Sequence, residues 1–412
     1  MERWRISRIA VLIAGLAAKV TAAAAPAAGE PDPYVASRRR MVEEDLAREG
    51  ITDARVLEAL RRVPRHLFVK PEHVRAAYFD QALDIGHRQT ISPPFVVATM
   101  TQAIDPRPQD RILEIGTGSG YQAAVLAELG AEVSTVEIVA PLGETAAATL
   151  GRLGYDRVRT RIGDGFLGWP EHAPFDKIIV TCSPERVPQP LVDQLAEGGR
   201  LIVPLGEQYQ QVLHLFEKRD GRLVDTALVP TLFVPMTGAA ETERRVRADP
   251  RRPAIVNGGF EQATVEPGKA DGWHYQRRCR VVAGDAPEGG RFVELENEDP
   301  GRAAQMLQGM AIDGRSIAAV EVSLRMRLTG AGPGTRPQEA AGLIMHCFDA
   351  RRAYLGSRWL GPWHADAPTW AAVHGRLEVP AEAAEAILQV GLNGSTGTLS
   401  LDDLRLAVEP RD

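Results

Sequence analysis

The sequence predicts a doubly wound α/β domain followed by a smaller all-β sandwich. Three observations predict it. Short apolar runs alternate with helical stretches between Arg111 and Val229, the charged segment Glu241–Pro253 closes in prolines, and Gly-punctuated β-like runs follow from Asn257. A chain of 412 residues also exceeds the roughly 250 to 300 residues that one hydrophobic core serves. The expected division is a signal-like or disordered segment at 1–33, the α/β domain at 34–240, a linker at 241–253 and the sandwich at 254–412.

The first segment has the charged, apolar, small-residue order of a secretory signal: Arg3, Arg5 and Arg8, then Ile9 to Ala18, then Ala22 to Ala28. Lys19 interrupts that order, so a cleaved signal and a disordered tail both stay open. The run is shorter than the about 20 apolar residues of a spanning helix, and no membrane span is expected elsewhere. From Tyr34 to Leu60 apolar residues recur at helical spacing, which predicts two short helices joined at Gly50, with Thr52 or Asp53 as N-cap. The polar stretch Asp84–Pro94 reads as a functional loop ahead of a helical run from Phe95 to Ile104.

Strands are expected at Arg111–Ile115, Glu132–Glu137, Arg157–Ile162, Lys177–Thr181, Arg200–Pro204, Gln211–Phe216 and Leu223–Val229. Helices fit Tyr121–Leu129, Leu142–Leu153 and Pro188–Ala196. That alternation implies a mainly parallel sheet with helices on both faces, because crossovers are right-handed. In the second domain the β-like runs are Arg280–Ala283, Phe292–Leu295, Val320–Leu328, Leu343–Phe348, Ile387–Leu392 and Thr398–Leu406.

Composition narrows the function. Apolar residues at 44% and charged residues at 25% are ordinary for a globular protein, and a formal net charge of -6 gives no basic field for nucleic acid. Cys182, Cys279 and Cys347 are too far apart for a CxxC metal site and odd in number, so they read as buried free thiols.

The strongest local signal is Leu113-Glu114-Ile115-Gly116-Thr117-Gly118-Ser119-Gly120-Tyr121, where a strand gives way to a helix. Glycines there let the backbone approach a ligand, and the helix start offers N–H groups to an anion. A dinucleotide fingerprint is G-x-G-x-x-G, whereas this run is G-x-G-x-G with Glu114 just ahead of it. A carboxylate there would repel a pyrophosphate and suit an ammonium. Glu137 closes the second strand, where an acid can accept from ribose hydroxyls, and Asp164-Gly165 follows the third, where an adenine edge could be met. Ammonium, diol and adenine together describe S-adenosylmethionine. The bland alternative for each acid is a solvated or capping carboxylate, and three at successive strand ends weigh against it. Ser92, before Pro93, reads by itself as a turn or cap serine, and no G-x-S-x-G supports a hydrolase.

The run Gln89–Pro93, the loop Leu113–Tyr121, Gly163-Asp164-Gly165, Ala173-Pro174-Phe175-Asp176, Phe233–Thr237 and Arg62-Val63-Pro64-Arg65 with Phe68-Val69 together resemble the protein-L-isoaspartate O-methyltransferase family, over about Tyr34 to Gly238. The resemblance implies a Rossmann-like, S-adenosylmethionine-dependent methyltransferase that esterifies isoaspartyl residues of damaged proteins. It implies Ser92 as the active-site hydroxyl, with Thr90 and Ile91 orienting the substrate. Glu114, Gly116, Thr117, Gly118, Ser119, Gly120, Glu137, Asp164, Gly165 and Thr237 are the cofactor set that the resemblance implies. Gly86-His87-Arg88 and Thr181-Cys182-Ser183-Pro184 depart from the family pattern and bear on substrate entry. The chemistry needs no general base, since a carboxylate with a pKa of about 4 is already ionised at neutral pH. Alignment and exclusion of water are the expected sources of rate.

Asn257-Gly258-Gly259-Phe260-Glu261, Trp273, the Trp370–Pro380 stretch and Asp402-Asp403 resemble the galactose-binding-like sandwiches of carbohydrate-binding modules. That resemblance implies a glycan platform of Trp273, Trp359, Trp363 and Trp370, and a structural calcium held by Glu261 with Asp402 or Asp403. Packing tryptophans and turn acids are the simpler accounts. Two other functions stay open: methylation of a different carboxylic acid, and an inactive first domain with glycan or protein binding by the sandwich. The cofactor and the family resemblance point to the cytoplasm, with export through residues 1–28 as the alternative.

Overall fold

The central strands of the first domain are apolar on both faces, as a parallel sheet between two helical layers requires. The computed structural model describes residues 32–411, so the signal-like reading of residues 1–28 lies outside the described residues. The entry helix Val35–Arg40 (α1) runs on through single turns to Gly50, and Ala54–Arg62 (α2) follows. Asp53 is its cap, accepting the Arg55 N–H at 2.8 Å, while the Thr52 amide bonds Gln102 instead. The stretch Asp84–Pro94, expected as a loop, holds an antiparallel hairpin, Leu83–Gly86 (β1) and Gln89–Ile91 (β2). Strands of three and four residues are too short to show a period in sequence. The helix Pro94–Ile104 (α3) follows with proline in its first turn, where no N–H is needed.

The sheet domain then runs Arg111–Ile115 (β3), Tyr121–Glu128 (α4), Glu132–Glu137 (β4), Ala140–Arg152 (α5), Arg159–Ile162 (β5), Phe175–Val180 (β6), Gln189–Gln194 (α6), Leu195–Gly206 (β7), Gln211–Arg219 (β8) and Arg222–Thr231 (β9). The order across the sheet is β5-β4-β3-β6-β7-β8-β9, parallel as far as β7 and antiparallel beyond. Ile112, Leu113, Ile178, Ile179, Leu201 and Ile202 are buried at its centre. The order reverses direction at β3, which leaves a crevice beyond the carboxyl ends of β3, β4 and β6. All seven expected strands form, several with shifted ends: β7 begins five residues earlier than read, because the helix ahead of it stops at Gln194.

The charged segment at 241–253 begins folded. Ala239–Glu243 (α7) is a short helix, and the buried Arg244 donates to Ser183 O at 2.7 Å and Gly206 O at 3.2 Å.

Beyond it lie His274–Arg277 (β10), Cys279–Ala283 (β11), Arg291–Asn297 (β12), Gln305–Ala311 (β13), Ile317–Gly332 (β14), Ala341–Asp349 (β15), Tyr354–Trp363 (β16), Ala367–Glu378 (β17), Ala383–Gly391 (β18) and Thr396–Pro410 (β19). Two antiparallel sheets, β10-β13-β18-β15-β16 and β11-β12-β19-β14-β17, enclose one apolar core. β10, β13, β16 and β17 lie outside the β-like runs expected from the sequence. Three of these are edge strands, whose outward residues carry a weaker apolar pattern.

Trp273, for which core packing was the simpler account, is fully buried against Phe260, and its indole N–H bonds Asn257 O. Glu261 and Asp402, the weak calcium candidates, hold backbone amides as turn acids do. Glu261 accepts from Gly290 and Arg291 amides, and Asp402 from Glu288 and Asp403 amides. Among the described residues no three His, Cys, Asp or Glu side chains converge on a metal site. No described helix is long and apolar enough to cross a membrane.

Candidate active site

The crevice at the switch point is walled by strand-end residues: Ile115 and Gly116 at the end of β3, Glu137 and Ile138 at the end of β4, Gly165 after β5, and Thr181 and Cys182 after β6. Gln89 and Thr90 of the hairpin close one side, and Val234 to Thr237 close another. Glu137 is nearly buried, and its two oxygens accept Gly118 N–H at 2.8 Å and Val139 N–H at 2.9 Å. The glycine loop is therefore tied to the residue that ends the neighbouring strand. At Gly116 and Gly165 the backbone packs too closely on its neighbours for a side chain: an added Cβ would lie 2.5 Å from Thr181 Oγ1 in the first case and 2.4 Å from an Ile115 methyl in the second.

The model of the protein-L-isoaspartate(D-aspartate) O-methyltransferase family matches residues 36–241, half of the 412-residue chain. The chain belongs to this family. A relative named protein-L-isoaspartate O-methyltransferase from Gloeobacter violaceus is 56% identical over 198 residues, 48% of this chain and 97% of that one. One of the same name from Opitutus terrae is 56% identical over 201 residues, 48% of this chain and 86% of its own. A solved protein-L-isoaspartate O-methyltransferase shares 32% identity over 53% of this chain and 73% of its own, with a TM-score of 0.46. Membership of the isoaspartyl methyltransferase family makes the first domain an S-adenosylmethionine-dependent methyltransferase fold.

Not every residue read as part of the family's cofactor set reaches the crevice. Gly116, Gly118, Glu137, Gly165 and Thr237 do. Glu114 is fully buried on the opposite face of β3 from Ile115, where Thr135 Oγ1 donates to it at 2.6 Å. It is not placed to accept an ammonium from the crevice. Thr117 bonds Thr135 and so joins the same buried chain of hydroxyls. The loop's N–H groups are largely spoken for: Gly116 and Thr117 donate to Val136 O, and Gly118 to Glu137. They are not free for an anion, because the loop folds over the end of β4. Ser119 and Gly120 form the turn into α4. Asp164 caps the next turn through Phe166 N–H and accepts Ala239 N–H at 2.9 Å, so it ties Gly165 to the Thr237 segment.

On the acceptor side Thr90 lines the crevice, Ile91 is core, and Ser92 is half-buried just behind the hairpin. The Ser92 carbonyl accepts from Arg65 Nη2 at 2.7 Å, and Arg65 Nε donates to Ala77 O at 2.8 Å. This guanidinium is fully buried, lies 4.8 Å from the Tyr121 ring centroid, and has its pKa lowered by burial. The Arg65 motif was visible in sequence; its grip on Ser92 was not. Ile138, Thr181, Cys182 and Met236 also line the crevice. The signal that could have found Thr181 and Cys182 as wall residues is positional, since residues just after parallel strands face the ligand crevice.

Burial pushes the Glu114 carboxyl up to about 8, opposed by the Thr135 hydrogen bond and aided by the charge of Glu137. The folded chain thus keeps a proton, between the ordinary carboxyl range and about pH 8, that the unfolded chain has released. Stability supplied by the protonated group is full below the unfolded pKa and is lost as pH rises through the folded one. Glu114→Gln is expected to flatten that decline between about pH 4.5 and pH 8, as read by urea midpoints at several pH values. An unchanged slope would show that Glu114 does not carry it.

Proposed function

We propose that the chain transfers methyl from S-adenosylmethionine to the carboxylate of isoaspartyl residues in damaged proteins. One observation carries the reading. The Glu137 carboxylate, Gly116, Gly118 and Gly165 meet in one crevice at the switch point, and Gln89 and Thr90, just ahead of Ser92 in the chain, form its edge. The residues fit the cofactor: Glu137 offers an acid to ribose hydroxyls, and at Gly116 and Gly165, where no Cβ fits, bare backbone lines the crevice. S-adenosylmethionine, when bound, supplies an electrophilic sulfonium methyl. The chain's own part is to orient a carboxylate that is already ionised and to keep water out, so proximity and alignment carry the rate gain. Ser92 Oγ is the expected hydroxyl for the acceptor, with its backbone held by Arg65. Thr237 and the Asp164-tied segment would cover the adenine side. This reading also puts the enzyme where S-adenosylmethionine is made, in the cytoplasm, with isoaspartyl proteins as partners.

Labelled methyl transfer to an isoaspartyl peptide, with the matching aspartyl peptide as control, tests it. Transfer confined to the isoaspartyl peptide supports repair; transfer to neither, with cofactor bound, sends the reading to another acceptor. Ser92→Ala is expected to lower turnover by about tenfold to a hundredfold with cofactor affinity nearly unchanged. Equal loss of both would make Ser92 a structural turn residue.

A further inference from the structure

The two domains meet through buried charges. Arg277, at the end of β10, donates to Asp80 Oδ2 from Nη2 at 2.9 Å and from Nε at 3.3 Å. The other oxygen of Asp80 accepts the Phe95 N–H at 2.9 Å, in the first turn of α3. The same guanidinium lies over the Phe95 ring, 3.6 Å from its centroid. The Arg277 and Asp80 side chains are 10% and 14% exposed, so solvent screens their attraction far less than at an open surface. Phe95 follows Ser92 across Pro93-Pro94, whose ring-fixed φ angles leave the short connection little freedom. The serine loop is thus held at two places. Arg65 of its own domain grips the Ser92 carbonyl, and a side chain of the sandwich completes the clamp on the turn that follows.

We propose that Arg277 is a positioning residue for methyl transfer, through which the sandwich fixes the start of α3 and with it the Ser92 loop. This rests on the functional reading above. Arg277 acts through Asp80 and Phe95 and makes no contact with the reacting groups. A loosened helix start would shift Ser92 relative to the acceptor while leaving Glu137 and the glycine loop, on the other wall, as they are.

The test compares the unaltered full chain with R277M, R277K and E49Q. Glu49 is the interface control, since its carboxylate takes bonds from Arg278 and Arg302, both at 3.2 Å. For each protein kcat and KM with an isoaspartyl peptide, S-adenosylhomocysteine affinity and the thermal midpoint are measured. R277M is expected to lower kcat about tenfold, as a small misplacement of an orienting group does. R277K should recover part of that loss, cofactor affinity should stay within about twofold, and E49Q should keep a kcat near that of the unaltered chain. Unchanged kcat in R277M, or an equal fall in R277M and E49Q, overturns the inference. If R277M does not fold, R277K against E49Q carries the same comparison. No transfer by the unaltered chain overturns the functional reading instead.

Discussion

The expected result of Glu137→Ala is a rise of about a hundredfold in the dissociation constant for S-adenosylmethionine, or about 2.7 kcal/mol. Two losses combine. The carboxylate that would accept from ribose hydroxyls is gone, and hydrogen bonds to charged groups are worth about 1.5 to 3 kcal/mol each. The Gly118 and Val139 amides also lose their acceptor, so the glycine loop is no longer tied to β4. Glu137→Gln keeps one acceptor oxygen and should fall between the two. Calorimetry with S-adenosylmethionine or S-adenosylhomocysteine decides. A change below about threefold would remove Glu137 from the binding site.

Gly116→Ala should be more damaging still, because it strikes fold and site together. Gly116 has φ 95, in the left-handed region that L residues avoid, at a cost of about 1 to 2 kcal/mol. Its new methyl would also lie 2.5 Å from Thr181 Oγ1, which donates to Ile115 O at 3.0 Å and Gly116 O at 2.8 Å and so cannot simply swing away. A loss of about 2 to 4 kcal/mol in unfolding free energy and no measurable cofactor binding are expected. Adding Thr181→Ala should restore part of the stability if the collision dominates, and none if the backbone angle does. Gly118→Ala is the milder comparison: φ 54 is better tolerated by L residues, and the nearest atom, an Ile85 methyl, is 3.4 Å away.

These expectations separate the two walls of the crevice. Glu137 and Gly116 act on cofactor binding, Ser92 and Arg277 on turnover, and a full set of variants measured for both quantities tests whether the division is real. Glu114, beneath the sheet, belongs to neither wall and reports through the pH dependence of stability.

What was legible in the sequence was local. Apolar runs such as Lys177–Thr181 marked the parallel strands, the glycine loop marked the turn after β3, and Glu137 and Gly165 could be placed because a parallel sheet sends its strand ends to one edge. The family motifs pointed to the same crevice. The tertiary structure decided what depends on which face is covered and on what arrives from far along the chain. Glu114 and Ile115 are neighbours, yet the pleat sends one into the core and the other to the crevice, and only the packed helices settle which. Trp273 was open to a packing or a platform role in the sequence, and Phe260 and the sandwich core enclose it. Asp80 and Arg277 stand 197 positions apart, and nothing near either residue announces the other. Secondary structure follows short-range patterns of size, polarity and turn chemistry. A buried charge pair between domains exists only once two cores have formed and docked, so its partners were found in the fold.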